Sequence, residues 1–273
     1  LADSIFFCQF QSSEPLSAVS LPDHDLLWYT DPSGGDPYDA PPTVFTHTAD
    51  TFEFYVSQKK LFGCESFRVK QTAVVRLTPS AAFSVNDPEQ CQDGNEFSFV
   101  NSSDKLINPE FLWDFGDGTG ISSMDATIKH SFDSYGYFNI SLTALNQPGC
   151  DNVTRATVRV MPKPVADFDG PSVICDQDLG VTLTDKSYVP SGLGTISSWS
   201  WDIDETRYYT QHLPQITVRH GGSLPVNLTV TSTAGCRSDT LKRSLPVRHK
   251  PVAAFVYQSV LCENELVKFN NLS

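Results

Sequence analysis

Seven cysteines, at positions 8, 64, 91, 150, 175, 236 and 262, are the residues of this chain best placed to do covalent chemistry. Taken two by two they lie 56, 59 and 61 residues apart (64 − 8, 150 − 91, 236 − 175). Thiols repeated in register point to disulfides made in an oxidising compartment rather than to the reduced core cysteines of a cytosolic protein. With two cysteines at matching places in each unit, the expected bridges are Cys8 with Cys64, Cys91 with Cys150, and Cys175 with Cys236. Cys262 is then unpaired by truncation, its partner falling one such interval further on, past Ser273. In the chain-entropy account, a bridge closing a loop of about 60 residues stabilises by around 4 kcal/mol.

The remaining chemistry-bearing residues do not assemble into a catalytic set. Histidines 24, 47, 130, 212, 220 and 249 show neither H-E-x-x-H nor H-x-H spacing, and zinc sites need such converging ligands. There is no G-x-S-x-G, no Walker loop and no G-x-G-x-x-G opening a helix. No catalytic residue and no enzyme activity are expected. Asp114, Asp117 and Asp125, and separately Asp31, Asp36 and Asp39, offer the hard oxygens that calcium takes, but neither set has EF-hand spacing. Turn-forming aspartates on a solvated surface are the simpler reading. No cofactor is expected, with a structural calcium at the first set as the alternative.

The elements that must hold these residues repeat as well. Ala81-Ala82-Phe83, Val165-Ala166-Asp167-Phe168 and Val252-Ala253-Ala254-Phe255 recur at intervals of 85 and 87 residues (168 − 83, 255 − 168), the mark of a tandem array. Apolar residues alternate with polar ones in Phe138-Asn-Ile-Ser-Leu-Thr-Ala144 and in Val226-Asn-Leu-Thr-Val230, the period of a half-buried strand. Many short strands between Asp, Gly, Pro and Ser turns, with a tryptophan between paired cysteines, predict an all-β chain of antiparallel sandwiches of immunoglobulin type in an elongated array. Trp28, Trp113 and Trp201 are the expected core anchors. Pro-containing joints at Thr78-Pro79, Met161-Pro162-Lys163-Pro164 and His249-Lys250-Pro251 set the expected domains at 1–79, 80–163, 164–250 and 251–273, the last the start of a truncated repeat. The first strand of the first domain is expected upstream of Leu1, in a longer parent chain.

Phe111-Leu-Trp-Asp-Phe-Gly-Asp-Gly-Thr119, followed by Lys129-His-Ser-Phe and Tyr135-Gly-Tyr-Phe-Asn-Ile-Ser-Leu142, resembles the polycystic-kidney-disease (PKD) domain family. In that pattern Gly116 and Gly118 permit positive φ in a tight turn, Asp114 and Asp117 bond turn amides, and His130 packs and hydrogen-bonds. Residues 164–250 resemble a divergent copy. There Trp199-Ser-Trp201-Asp-Ile-Asp204 stands in for the motif without its turn glycines, so a rearranged hairpin is expected. The first unit, through Leu27-Trp28-Tyr29-Thr30, Gly34-Gly35 and Gly63-Cys64, is similar to the immunoglobulin-like repeats of very large Bacteroidetes surface proteins.

That resemblance implies a type IX-secreted adhesin at the cell surface, attached to the outer membrane and serving adhesion or gliding motility. Its partners would be neighbouring repeats of the same chain, with surface polysaccharide or cell-surface motility and secretion proteins beyond them. Accessory modules of a secreted polysaccharide- or protein-degrading enzyme are the alternative. A net charge of −13 speaks against nucleic acid, and the absence of 18 consecutive uncharged apolar residues speaks against membrane insertion.

Overall fold

The computed structural model describes residues 4–104, 110–146, 149–177, 179–257 and 266–273. Among them there is no α-helix, only a single 3₁₀ turn at Pro190–Gly192; no helix is long and apolar enough to cross a membrane. The protein is built of tandem β-sandwich domains, and the packing gathers it into two compact units. The first takes residues 1–88 with 96–131 and 137–159, and the second takes 89–95 with 132–136 and 160–273.

The first unit opens with β1 (Ile5–Cys8), β2 (His24–Tyr29), β3 (Asp50–Lys60) and β4 (Val69–Arg76), which form one sheet in the order β1-β4-β3-β2. Strand β1 runs parallel to β4, with Cys8 opposite Arg76. Trp28, Phe54, Ala73 and Val75 turn one face of this sheet inward, and Leu16 and Val44 cover it. Leu16 and Val44 come from loop segments joined by the Pro15–Thr43 bridge and by bonds from Leu16 N–H to the Pro42 carbonyl and from the Ser13 hydroxyl to the Val44 carbonyl, at 2.9 and 2.7 Å.

Strands β5 (Phe83–Val85), β6 (Glu89–Cys91), β7 (Phe97–Asn101), β8 (Glu110–Asp114), β9 (Gly120–Ser122), β10 (Thr127–His130), β11 (Gly136–Leu145) and β12 (Asn152–Met161) follow. One sheet has the order β10-β7-β5, and β12, β11, β8 and β9 adjoin in the other. The alternation read from the sequence holds in β11, where Phe138, Ile140, Leu142 and Ala144 are buried and Asn139 is exposed. Trp113, 2% exposed, meets Phe83 and Phe99 edge-on or tilted at 5.2 and 6.0 Å between ring centres, geometries that aromatic pairs favour.

In the second unit, β13 (Phe168–Asp169) pairs with β16 (Thr184–Asp185), and β15 (Leu179–Val181) with β19 (Ile216–Thr217). Strands β14 (Ile174–Cys175), β17 (Ile196–Ile203), β18 (Thr206–Tyr208), β20 (Gly222–Ser232) and β21 (Leu241–Arg248) form a sheet in the order β14-β21-β20-β17-β18. Trp201 is fully buried among Phe168, Ile203, Leu228 and their neighbours, and its indole N–H donates to the Thr210 carbonyl at 3.0 Å. The hairpin here is rearranged as expected. Ile203 pairs with Thr206 across a two-residue turn, and both turn residues, Asp204 and Glu205, have positive φ (47° and 66°). A two-residue turn of that hand follows the strands' own twist, at the backbone cost that glycine normally avoids. Finally, β22 (Phe255–Tyr257) pairs with β23 (Phe269–Asn271).

Candidate functional site: the cysteine joints

The first cysteine of each repeat closes a short strand laid along the repeat's last strand. Cys8 ends β1 opposite Arg76, and the next N–H, of Gln9, donates to the Arg76 carbonyl at 2.8 Å. Cys175 ends β14 opposite Arg248, and Asp176 N–H donates to the Arg248 carbonyl at 2.8 Å. Cys91 ends β6, and Gln92 N–H donates to the Met161 carbonyl at 2.9 Å. In all three places the thiol is carried to the end of the domain where the chain leaves it.

The second cysteine sits in the hairpin between the last two long strands. Gly63 N–H donates to Lys60 O and Gly235 N–H to Ser232 O, at 2.8 and 2.9 Å, closing equivalent turns. Two residues past Cys64, Ser66 exchanges bonds with Gln58: its N–H donates to Gln58 O and its Oγ accepts the Gln58 N–H, each at 3.0 Å. Ser238, two past Cys236, does the same with Val230 at 2.9 and 3.0 Å. In the middle repeat Cys150 N–H donates to Asn146 O at 3.2 Å. This hairpin lies at the other end of the last strand from the first cysteine.

That placement overturns the expected pairing within repeats. Cys8 is level with Arg76, the end of β4, whereas Cys64 precedes β4. Eight residues of strand span about 25 Å, and a disulfide holds its Cα atoms within about 7 Å. Strand β21 separates Cys236 from Cys175 in the same way, and β12 separates Cys150 from the Met161 end where Cys91 is anchored. The bridges run instead from each repeat to the next, Cys8–Cys150 and Cys91–Cys236, with Cα–Cα distances of 5.3 and 5.4 Å. Cys64 is exposed and unbridged, Cys175 is half-buried and belongs to neither bridge, and Cys262 lies outside the described residues.

Each joint carries polar contacts that spacing alone did not reveal. At the first, Asn146 Nδ2 donates to Leu77 O at 2.6 Å, and Ala81 N–H to Asn152 Oδ1 at 3.4 Å. At the second, Lys163 Nζ stands 2.6 Å from both Asp239 and Asp93. The hydrogen bond to Asp239, then that to Asp93, raises the lysine's pKa above its ordinary value, though ion pairs this exposed contribute little to stability.

The remaining candidates act within their own domains. Trp28 and Trp113 are buried to the same extent and Trp201 completely. Gly116 and Gly118 have φ of +75° and +88°. Asp114 accepts the Gly116 N–H at 2.9 Å, Asp117 accepts the Thr119 N–H and hydroxyl at 2.9 and 2.6 Å, and Asp125 accepts the Ser123 hydroxyl at 2.9 Å. His130, stacked on Phe115 at 4.0 Å between ring centres, places Nε2 2.7 Å from the Asp117 carboxylate. Burial pulls the Asp117 pKa upward, but the bonds from Thr119 and His130 outweigh it and hold the carboxyl below its ordinary value. Among the described residues no three His, Cys, Asp or Glu side chains converge as metal ligands would. Trp199, beside Trp201 in the divergent motif, is half-buried and its indole N–H donates to the Asp185 carboxylate at 2.8 Å.

Residues 78–162 match the PKD domain family. A microbial collagenase of Vibrio alginolyticus is 30% identical over 101 residues, 36% of this chain but only 12% of the collagenase. The PKD1 domain of Vibrio anguillarum Epp is 29% identical, covering 30% of this chain and 93% of that one, with a TM-score of 0.25. The titin I-band fragment I67–I69 is 11% identical, covering 91% of this chain and 96% of the fragment, with a TM-score of 0.40. The PKD match and the two disulfides together mark an extracellular protein.

Proposed function

We propose that this chain is a load-bearing segment of a long extracellular adhesin or filament, whose repeats are domains 1–79, 80–163, 164–250 and 251–273. The observation that carries the reading is that both described disulfides join one repeat to the next. A bridge inside a domain stabilises that domain alone. A bridge to the neighbour makes the joint covalent twice over and gives tension a second route.

The routes can be followed along the chain. Cys8 and Cys150 form one node, and Cys91 and Cys236 the other. Three segments connect the nodes in parallel, of 83, 59 and 86 residues (91 − 8, 150 − 91, 236 − 150). Tension between the nodes is shared among three folded stretches, and the shortest limits extension even when all are unfolded. Such an arrangement suits a fibre that is pulled, at a surface or under drag. The net charge of −13 disfavours self-association. Attachment to the outer membrane, type IX secretion and service in gliding motility belong to this proposal.

Accessory modules on a secreted depolymerase are the second reading, favoured by the collagenase match. The size of the intact parent separates the two. An antibody against residues 80–163, applied to surface-released protein, should detect a product at least ten times the 30.1 kDa of this chain. A product only a few times larger, carrying a catalytic domain, would overturn the filament reading.

A further inference from the structure

Cys64 occupies the hairpin position that is disulfide-bonded in both following repeats. The match extends through the local bonds: Lys59 bridges Glu65 as Thr231 bridges Arg237, and Ser66 serves Gln58 as Ser238 serves Val230. Cys150 and Cys236, the residues at this place, each bond the first-strand cysteine of the preceding repeat. The local scaffold of Cys64 is equally fixed. Glu65 accepts the Ser57 hydroxyl at 2.6 Å and lies 3.9 Å from Arg68, whose guanidinium stacks over Tyr29 at 3.2 Å.

Phe62 and Phe67, on either side of the thiol in the hairpin, are 99% and 97% exposed, and Leu61 is 72% exposed. Leu21, also exposed, is tied to this end through its N–H bond to Gln58 Oε1 at 2.9 Å. Large apolar side chains thus stand in water on both sides of an exposed cysteine, and apolar surface exposed in this way suits an interaction face. At the equivalent hairpin of the next repeat, the neighbour's Leu77 carbonyl meets Asn146, beside the bridge.

We infer that this end of the first domain docks a preceding repeat of the same type, and that Cys64 is the acceptor half of a further inter-repeat disulfide. This rests on the filament reading. The donor is a cysteine closing the first strand of that repeat, 142 to 145 residues before Cys64, as in the two bridges described. Joining the two thiols as S–S releases two protons and two electrons. The electrons pass to an oxidised dithiol–disulfide exchange protein of the export compartment, which leaves as its dithiol. Leu61, Phe62 and Phe67 would lose their water contact against the docked domain.

The test is disulfide mapping of the full-length secreted protein, with free thiols capped by N-ethylmaleimide before digestion without reduction. The expected result is a Cys64 peptide linked to a peptide from a preceding repeat at that spacing. An N-ethylmaleimide adduct on Cys64, or a link from Cys64 to Cys8 or to a second copy, would overturn the inference. The Cys8–Cys150 and Cys91–Cys236 peptides in the same digest report on the filament reading separately. In the isolated 273-residue chain, Cys64→Ser should leave the melt unchanged while removing one N-ethylmaleimide equivalent; a lowered melt would show Cys64 bonded within the chain and would also overturn the inference.

Discussion

The doubled joint makes a quantitative mechanical prediction. In the oxidised chain, the greatest distance between the Cys8–Cys150 node and the Cys91–Cys236 node is set by the 59 residues from Cys91 to Cys150. At roughly 3.3–3.6 Å per extended residue that is about 20 nm. Reduction exposes the whole stretch from Cys8 to Cys236, 228 residues (236 − 8), or about 75–80 nm. Single-molecule pulling on both ends of the chain should therefore gain about 55–60 nm of contour length on reduction. The double variant Cys91→Ser/Cys236→Ser is more discriminating. It leaves Cys8–Cys150, so the limiting segment becomes the 86 residues from Cys150 to position 236, a gain of 27 residues (86 − 59), about 9 nm. Bridges confined within repeats would instead lose two bridges in this variant. No gain, or one beyond about 20 nm, would refute the load path.

Other consequences can be read from stability. Gly116→Ala should destabilise residues 78–162 by at least about 1–2 kcal/mol, because φ is +75° and the added Cβ would lie 2.7 Å from the Asn139 carbonyl oxygen; the melt should fall by about 4–8 °C for each kcal/mol. Glu205→Gly should raise the stability of the second compact unit by about 0.5–1 kcal/mol in denaturant titration, since φ there is +66°. Asp117 has a lowered pKa in the folded state, so its contribution is present above the ordinary value of 3.8 and is lost as pH falls through the lowered value. Asp117→Asn should accordingly lower the melt at pH 7, and the gap from the parent should narrow as the pH is taken down through that range; a gap independent of pH would show that the carboxylate charge is not what matters.

Much of the fold was legible because its signals are local. Period-two alternation placed β11 and the inward face of β20, and the Trp-Asp-Phe-Gly-Asp-Gly-Thr string located both a core tryptophan and a turn needing positive φ. The pairing of the cysteines was not legible from their intervals. In a tandem array, shifting every assignment by one repeat preserves regularity, so 142 and 145 residues are as periodic as 56, 59 and 61. What decides is the end of the domain at which each thiol emerges, and that depends on β1 and β14 lying parallel to the last strands, a long-range pairing with no short-range signature. A usable hint was present. Cys8, Cys91 and Cys175 follow short strand-like runs near the domain starts, whereas Gly-Cys at 64, 150 and 236 marks a hairpin. The missing glycines signalled a rearranged hairpin after Trp201, but not that Asp204 and Glu205 would themselves take positive φ. Lys163 was visible only as a basic residue in a Pro-rich joint, since its partners Asp93 and Asp239 lie far away in sequence.

The central claim is that disulfides stitch each repeat to its neighbour, and non-reducing peptide mapping of the 273-residue chain tests it most directly. Peptides linking Cys8 to Cys150 and Cys91 to Cys236 are predicted. Peptides linking Cys8 to Cys64 and Cys91 to Cys150 would contradict it and return each bridge to a single sequence repeat.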